Sequence, residues 1–486
     1  MRSIIITINI LFAFSICGWS EDWSTHRHDN RRSAITSESV KFPLKEIWTY
    51  SSIIPPQTAW SGPAKWDSYA NLINLKSMRD FDPVYYTVVV GDRVFWGSSV
   101  DDSVHCANLN TGKEQWVYCT DGPVRVAPSW DEGKVYFGSD DGYAYCVNAD
   151  NGELVWSYKP SPESKKIPSD GKLISPWPCR TGAFVQNGIV YFAASLLPWE
   201  DSYLCAVDAK TGSDQGEGLF KKRYTQSAMQ GAILASDKNL YLSHGRQQPK
   251  VYDIKSGRMV GSIGDSGDGG CYAILTKDDI LIHGRGQNHD TDGELRGFNA
   301  QTKDHLATFP NANCMVIQKE IAYLHSNGTL TAFDRAKNLL LQTQKFKLQA
   351  DEEKFTKQFK KLKDPKGDTA DGKKLLETIS AMQIQIKAIN KQLPSTFNWK
   401  IDVPFFHSMI LADDALILGG ENLIAAYNMS NGEQLWSAAV EGIAHGLTYA
   451  NGHLVVSTDL GKIVCFAGLS QSSCGSMKLG ALLGSR

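Results

Sequence analysis

Apolar and polar residues alternate in short runs along almost the whole chain, and the runs return at a steady interval. VFWG (94–97), VYFG (135–138), VYFA (190–193), LYLS (240–243), ILIH (280–283), AYLH (322–325), LILG (416–419) and LVVS (454–457) share one pattern. Another strand precedes each run, and a turn and a third strand follow it. An Asx residue marks that third strand at Asn108, Asn148, Asp208, Asp253, Asn299, Asp334 and Asn428, at steps of 40, 60, 45, 46, 35 and 94 residues. Four residues on stands a turn glycine in five units (Gly112, Gly152, Gly212, Gly257, Gly432). Eight residues on stands Trp116, Trp156 or Trp436, replaced by Gly216, Gly261 and Ala307 elsewhere. Four strands per unit of about 40 residues describe a propeller blade.

The last unit, ending near Ala467, lacks its Trp strand, and KEIWTY (45–50) matches KEQWVY (113–118). The N-terminal strand is therefore expected to complete the last blade and close the ring, which removes free sheet edges. The predicted fold class is all-β: eight four-stranded antiparallel blades over 40–336 and 397–468. The 94-residue step predicts an insertion at 337–396. Leu375, Ile379, Met382, Ile386, Ile389 and Leu393 follow heptad spacing, so a helical hairpin is expected there.

Composition adds the compartment. Arg2, the apolar stretch 4–16 and Gly18-Trp19-Ser20 form a signal peptide over 1–20, cleaved after Ser20. A lipid anchor on Cys17 is the alternative. Nine cysteines follow residue 17, an odd number that forbids complete pairing. The net charge of −2 points to neither nucleic acid nor a membrane surface. The insertion carries 13 Lys against 7 Asp and Glu, a net of +6, leaving −8 for the remainder. It reads either as a solvated helical face or as a docking arm for an acidic partner. The tail, 469–486, is Gly/Ser-rich and expected to be flexible.

Blade topology also sorts residues by face. The turns before the first strand and after the second share one face, the top; the other turns share the bottom. Tyr86, Arg125, Arg180, Gln230, Cys271, Cys314, His407 and His445 are expected to ring the top of the channel. Asp140, Asp141, His244, Arg246, His283, Arg285 and His325 stand in the adjacent turns. Arg and His converging on a channel mouth suit an anionic group; a hydrated polar channel explains them as well. The loop 159–178 is either a lid over this face or a connector. Asp290, Asp292 and Glu294 sit in an oxygen-rich loop and are weak calcium candidates. No nucleophile motif supports hydrolase chemistry.

CVNADNGELVW and AYNMSNGEQLW resemble the repeat of pyrroloquinoline-quinone-like (PQQ-like) propellers. That superfamily includes quinoprotein alcohol dehydrogenases and the propeller lipoprotein of the outer-membrane β-barrel assembly machinery. DWSTHRHDNRRS, DGPVRVAPSW, GSDDGYAYC and SPWPCRTG also look like a bacterial group of exported PQQ-like propellers. In the dehydrogenases PQQ stacks over a Trp floor beneath a vicinal Cys pair, with calcium held by Glu, Asn and Asp. This chain has no adjacent cysteines, and no Asp matches the catalytic base. The resemblance therefore implies a non-catalytic scaffold or binding module, with an envelope protein or an anionic glycan as partner. A PQQ- and calcium-dependent oxidoreductase is the alternative.

Overall fold

Repeated alternation becomes repeated antiparallel sheets. The computed structural model describes residues 21–60, 64–67, 72–75, 81–243, 247–264, 269–284, 293–362 and 367–468. The expected signal peptide and tail lie outside them. Six four-stranded sheets follow one another along the chain. Their innermost strands are Thr87–Val90, Ser129–Asp131, Phe184–Gln186, Leu234–Ala235, Tyr272–Leu275 and Ala312–Gln318, and we number the sheets 1 to 6 in that order. A seven-stranded sheet comes last. Its strand Gln434–Ala450 pairs first with Ala415–Asn428 and then with His453–Thr458, so two four-stranded units share it. Leu44–Ser51 pairs antiparallel with Lys462–Gly468 and supplies the outermost strand.

The repeat signature is a device for docking one sheet on the next. Trp116, on the outer strand of sheet 1, donates from Nε1 to Ala149 O of sheet 2 at 3.0 Å. Its ring lies flat over Gly152, where an added Cβ would come within 2.7 Å of it. Gly152 also sits at φ +72°, so both space and backbone require glycine. Trp156 repeats this on Ala209 and Gly212, and Trp399 on Met429 and Gly432. Trp48 joins the N-terminal strand to Leu109 and Gly112 of sheet 1.

Three seams differ. Gly216 was expected at the Trp position of sheet 3, but Phe220 is the residue opposite Ala206, as Trp156 is opposite Cys146. The third-to-fourth turn is four residues longer there, so fixed spacing misses it. Phe220 covers Gly257. Between sheets 4 and 5 the sizes are exchanged: Gly261 holds the Trp position and the Lys303 side chain reaches over it. Between sheets 5 and 6 the Trp position is Ala307.

Beside Ala307 begins the insertion, between the third and fourth strands of sheet 6. In other units the Asx side chain closes a turn; Asn148 Oδ1, for example, accepts Asp150 N at 2.7 Å. Here Asp334 Oδ1 accepts Lys337 N and becomes the N-cap of helix α1 (Arg335–Lys361). Helix α2 (Ala370–Gln392) returns along it, burying Ile379 and Ile389 of the heptad seam. The base of α1 lies on the outer strand of sheet 5. Phe346 packs on His305 with ring centroids 4.0 Å apart, and Thr343 Oγ1 donates to Leu306 O. The hairpin is thus a clamp between two sheets as well as a projection.

No disulfide joins any of the eight described cysteines, Cys106, Cys119, Cys146, Cys179, Cys205, Cys271, Cys314 and Cys465. No helix among the described residues is long and apolar enough to cross a membrane.

Candidate functional site at the channel mouth

The top of the channel holds a buried four-member ion network. Arg125 and Arg180 precede the innermost strands of sheets 2 and 3, while Asp140 tips the second-to-third turn of sheet 2. That turn is held rigidly, with Asp140 N donating to Pro123 O and Asp140 O accepting Ser175 N, both at 2.8 Å. Arg180 clamps the Asp140 carboxylate through Nε and Nη2, each at 2.8 Å. Arg125 Nε reaches Asp140 Oδ2 at 2.6 Å, and its Nη1 reaches Asp82 Oδ2 at 2.8 Å. All four side chains are nearly inaccessible. Two guanidiniums and two carboxylates cancel, so Arg125 and Arg180 face the chain's own acids rather than an open mouth. Burial pushes the Asp140 carboxyl up, but Arg180 and Arg125 overcome it and hold its pKa below the ordinary value. At Asp82 burial prevails and the pKa rises despite Arg125.

The chain covers this network itself. Arg125 Nη1 also donates to Gln57 O, Ala59 N donates to Asp82 Oδ2 at 2.8 Å, and Gln57 N is held by Ser99 Oγ. Ala59 and Phe81 pack on Val126, with Trp60, Ala232 and Cys271 at the edge. Gln230 accepts Trp60 Nε1 at 3.1 Å and donates to Leu196 O, so it anchors the cover. Residues 57–60 and 81–82, from the connection between Leu44–Ser51 and sheet 1, therefore cover this network, while His407 and His445 across the mouth stay partly exposed. In the loop 159–178, Lys172 reaches across the top face to Ser99 O and Val100 O, each at 2.9 Å.

The remaining candidates divide. Asp141 accepts Tyr145 OH at 2.6 Å and Tyr143 N at 2.9 Å, and burial raises its pKa. His407 and His445 lie edge to face, 5.1 Å between centroids. Their innermost strands bulge at these positions, and the matching bulge in sheet 6 is at Asn313, one residue before the expected Cys314. His325 is fully buried; its Nδ1 lies 2.6 Å from Asn313 Oδ1 and its Nε2 accepts Phe406 N. His283 is buried and stacks on Phe298. Both are fully buried. His244, Arg246, Arg285, Asp290 and Asp292 lie outside the described residues. Glu294 pairs with Arg296. No cluster of three metal-ligating side chains occurs among the described residues.

The bottom end is sealed by a segment that belongs to no repeat. Trp23 exchanges backbone hydrogen bonds with Val89 at 2.8 and 3.0 Å. Ser24 O, Asn30 O, Arg31 O and Ala34 O then accept Trp130, Ala235, Leu275 and Leu411 amides in turn. Residues 23–34 thus satisfy inner-edge amides of sheets 1, 2, 4, 5 and the long sheet, which a propeller channel would otherwise leave to water. Arg32, buried, spans Ile233 O, Thr25 Oγ1 and His26 O. Burial, set against Asp29 and reinforced by Arg27, lowers its pKa to about 10. Neither segment was legible from repeat spacing. The hints in the sequence are an Arg-rich stretch ahead of the first repeat and Asp82, one of three aspartates between Leu44–Ser51 and sheet 1.

Solved structures with similar folds include BamB from Moraxella catarrhalis (10% identity, 87% of this chain and 100% of that one, TM-score 0.50). They also include quinohemoprotein alcohol dehydrogenase from Comamonas testosteroni (12%, 96% and 82%, 0.56) and the computationally designed Ika8 protein (12%, 80% and 96%, 0.52). At such identities the likeness speaks for the fold alone. No curated protein matches the chain. Residues 57–339 match the family described as outer membrane protein assembly factor BamB.

Proposed function

The chain belongs to the PQQ-repeat family described as outer membrane protein assembly factor BamB, and from that premise we propose an exported, eight-bladed propeller acting as a non-catalytic scaffold or binding module of the cell envelope. Six sheets and the two halves of the long sheet supply the eight blades, and Trp48 on Leu109 and Gly112 supports closure. The observation that carries the reading is the self-neutralised, covered mouth: Arg125 and Arg180 are committed to Asp140 and Asp82. Binding then falls to the outer surface, where the hairpin carries a net +6 and suits an acidic envelope protein or an anionic glycan.

PQQ with calcium is the competing reading, and the residues present do not fit it. Residues 57–60 and 81–82 cover Arg125 and Arg180, the Asp82 and Asp140 carboxylates are taken by those arginines, and no vicinal cysteines exist. The test uses the full chain expressed with residues 1–20. A mature N-terminus at Glu21 by mass spectrometry supports export, and retention of residues 1–20 in a cytosolic protein overturns it. In-cell crosslinking should capture an envelope component that is lost on reversing Lys373, Lys374, Lys387 and Lys391 to Glu, all exposed on α2. A quinone absorbance shift with dye-linked alcohol oxidation, on adding PQQ and calcium, would sink the scaffold reading.

A further inference from the structure

Cleavage after Ser20 would make Glu21 the first residue of the chain, and its side chain is held in place. Its Oε2 accepts Ser37 N at 2.7 Å and the Thr36 and Ser37 hydroxyls, each at 2.9 Å. Its backbone nitrogen faces a carboxylate: Glu21 N stands 3.3 Å from Glu38 Oε2. Glu38 is partly buried, and among the described residues no Lys, Arg or His side chain pairs with it.

The same carboxylate holds the last unit of the long sheet. Glu38 accepts Asn451 N at 2.8 Å and Gly452 N, both in the turn before His453–Thr458. Next to Glu21, Asp22 Oδ1 accepts Gly91 N at 2.8 Å and Asn451 Nδ2 at 3.1 Å. Gly91 lies in the corresponding first-to-second turn of sheet 1. Residues 21–23 and Glu38 therefore tie sheet 1 to the last unit at the bottom face. These are the two units that Trp48, on the N-terminal strand, also joins.

We propose that removal of residues 1–20 completes this junction: the α-ammonium created at Glu21 pairs with Glu38, a latch that the precursor lacks. Hydrolysis of the Ser20–Glu21 amide consumes one water, leaves a carboxylate on Ser20 and converts Glu21 N from a neutral N–H into an ammonium. The bond to Glu38 then joins two charges instead of one, and charge on the donor strengthens it. The junction is weaker while the leader is attached and tightens once it is gone. The proposal rests on export with cleavage after Ser20 and adds a structural consequence to that step.

Two chains that hold every described residue test it, 21–486 and 19–486; in the second, Glu21 N stays an amide. Hydrogen exchange of the Asn451 and Gly452 amides should be about fivefold slower in 21–486. Nα-acetylation of 21–486, which removes only the charge, should restore the faster rate. Glu38→Gln, which keeps an acceptor without the charge, should bring 21–486 and 19–486 to the same rate. Equal exchange in the two unmodified chains, or a difference that survives Glu38→Gln, overturns the latch and leaves export standing. A mature N-terminus at another residue, such as a lipid-bearing Cys17, also overturns the latch alone. Retention of residues 1–20 in a cytosolic protein overturns the export reading and the latch with it.

Discussion

The seam between sheets 2 and 3 and the seam between sheets 5 and 6 solve the same problem with different chemistry. At the first, Trp156 buries its ring against Gly212 and donates to Ala209 O at 3.0 Å. One residue supplies apolar area, shape and a directional bond. At the second, Ala307 supplies none of these, and α1 takes over, with Phe346 on His305 and Thr343 on Leu306 O. A repeat can lose its staple where an insertion brings another. The insertion is then part of the stability of the sheet array, which the heptad pattern alone does not suggest.

Removing the better-built staple should cost the most. Trp156→Ala deletes a ring that is 7% exposed and leaves the Ala209 carbonyl with the Tyr136 hydroxyl, at 3.2 Å, as its remaining side-chain donor. Loss of stability of about 3–5 kcal/mol is expected, read from urea denaturation. The contrast with the helix-clamped seam sharpens if Phe346→Ala, half-buried, costs clearly less and speeds amide exchange only around His305–Pro310. Equal costs would show that the two seams are not distinct in kind.

What the sequence disclosed follows the same division. Asx, Gly and Trp at offsets of four and eight are legible because a single turn fixes their spacing. Fixed spacing breaks down where that turn lengthens, as before Phe220, or where a strand bulges, as at Asn313 beside Cys314. It fails altogether for partners outside the repeat. Arg125 and Arg180 stand out in the alignment of blades, but their neutraliser Asp82 and their cover at Gln57 do not. The contacts of Trp23 to Ala34 along the channel floor are equally invisible, because each is made by backbone groups to a different sheet.

Two other seams add buried histidines of opposite pH behaviour to their Trp staples. His325 joins sheet 6 to the long sheet through Phe406 N, and burial lowers its pKa to about 4. The unfolded chain binds this proton more readily between about pH 6.5 and 4, so stability falls as pH drops through that window, by up to about 3 kcal/mol. His105 lies between Asp101 (3.0 Å) and Glu114 (3.1 Å), stacked on Trp96, with Tyr50 of the N-terminal strand beside it. Burial opposes its charge, but the two carboxylates win and raise its pKa. Its contribution is full below the unfolded pKa and is lost as pH rises through the folded one. His325→Gln should flatten the fall in urea midpoint from pH 7 to 4.5, whereas His105→Gln should steepen it. Parallel shifts in both variants would mean that neither seam titrates.

The smallest effect is expected where the staple is reversed. Between sheets 4 and 5, the end of the Lys303 side chain, Nζ and Cε, lies over Gly261, and the ammonium stands 3.5 Å from Val260 O. The contact is exposed, so its charge gains little there. Lys303→Ala should cost under about 1 kcal/mol, and Lys303→Met, which keeps the length of the side chain without the charge, should restore most of it. Added salt should leave the Lys303→Ala difference unchanged. A cost that salt erases would assign this seam to electrostatics and separate it from the other seams between sheets, where burial of an aromatic side chain or a helix face does the joining.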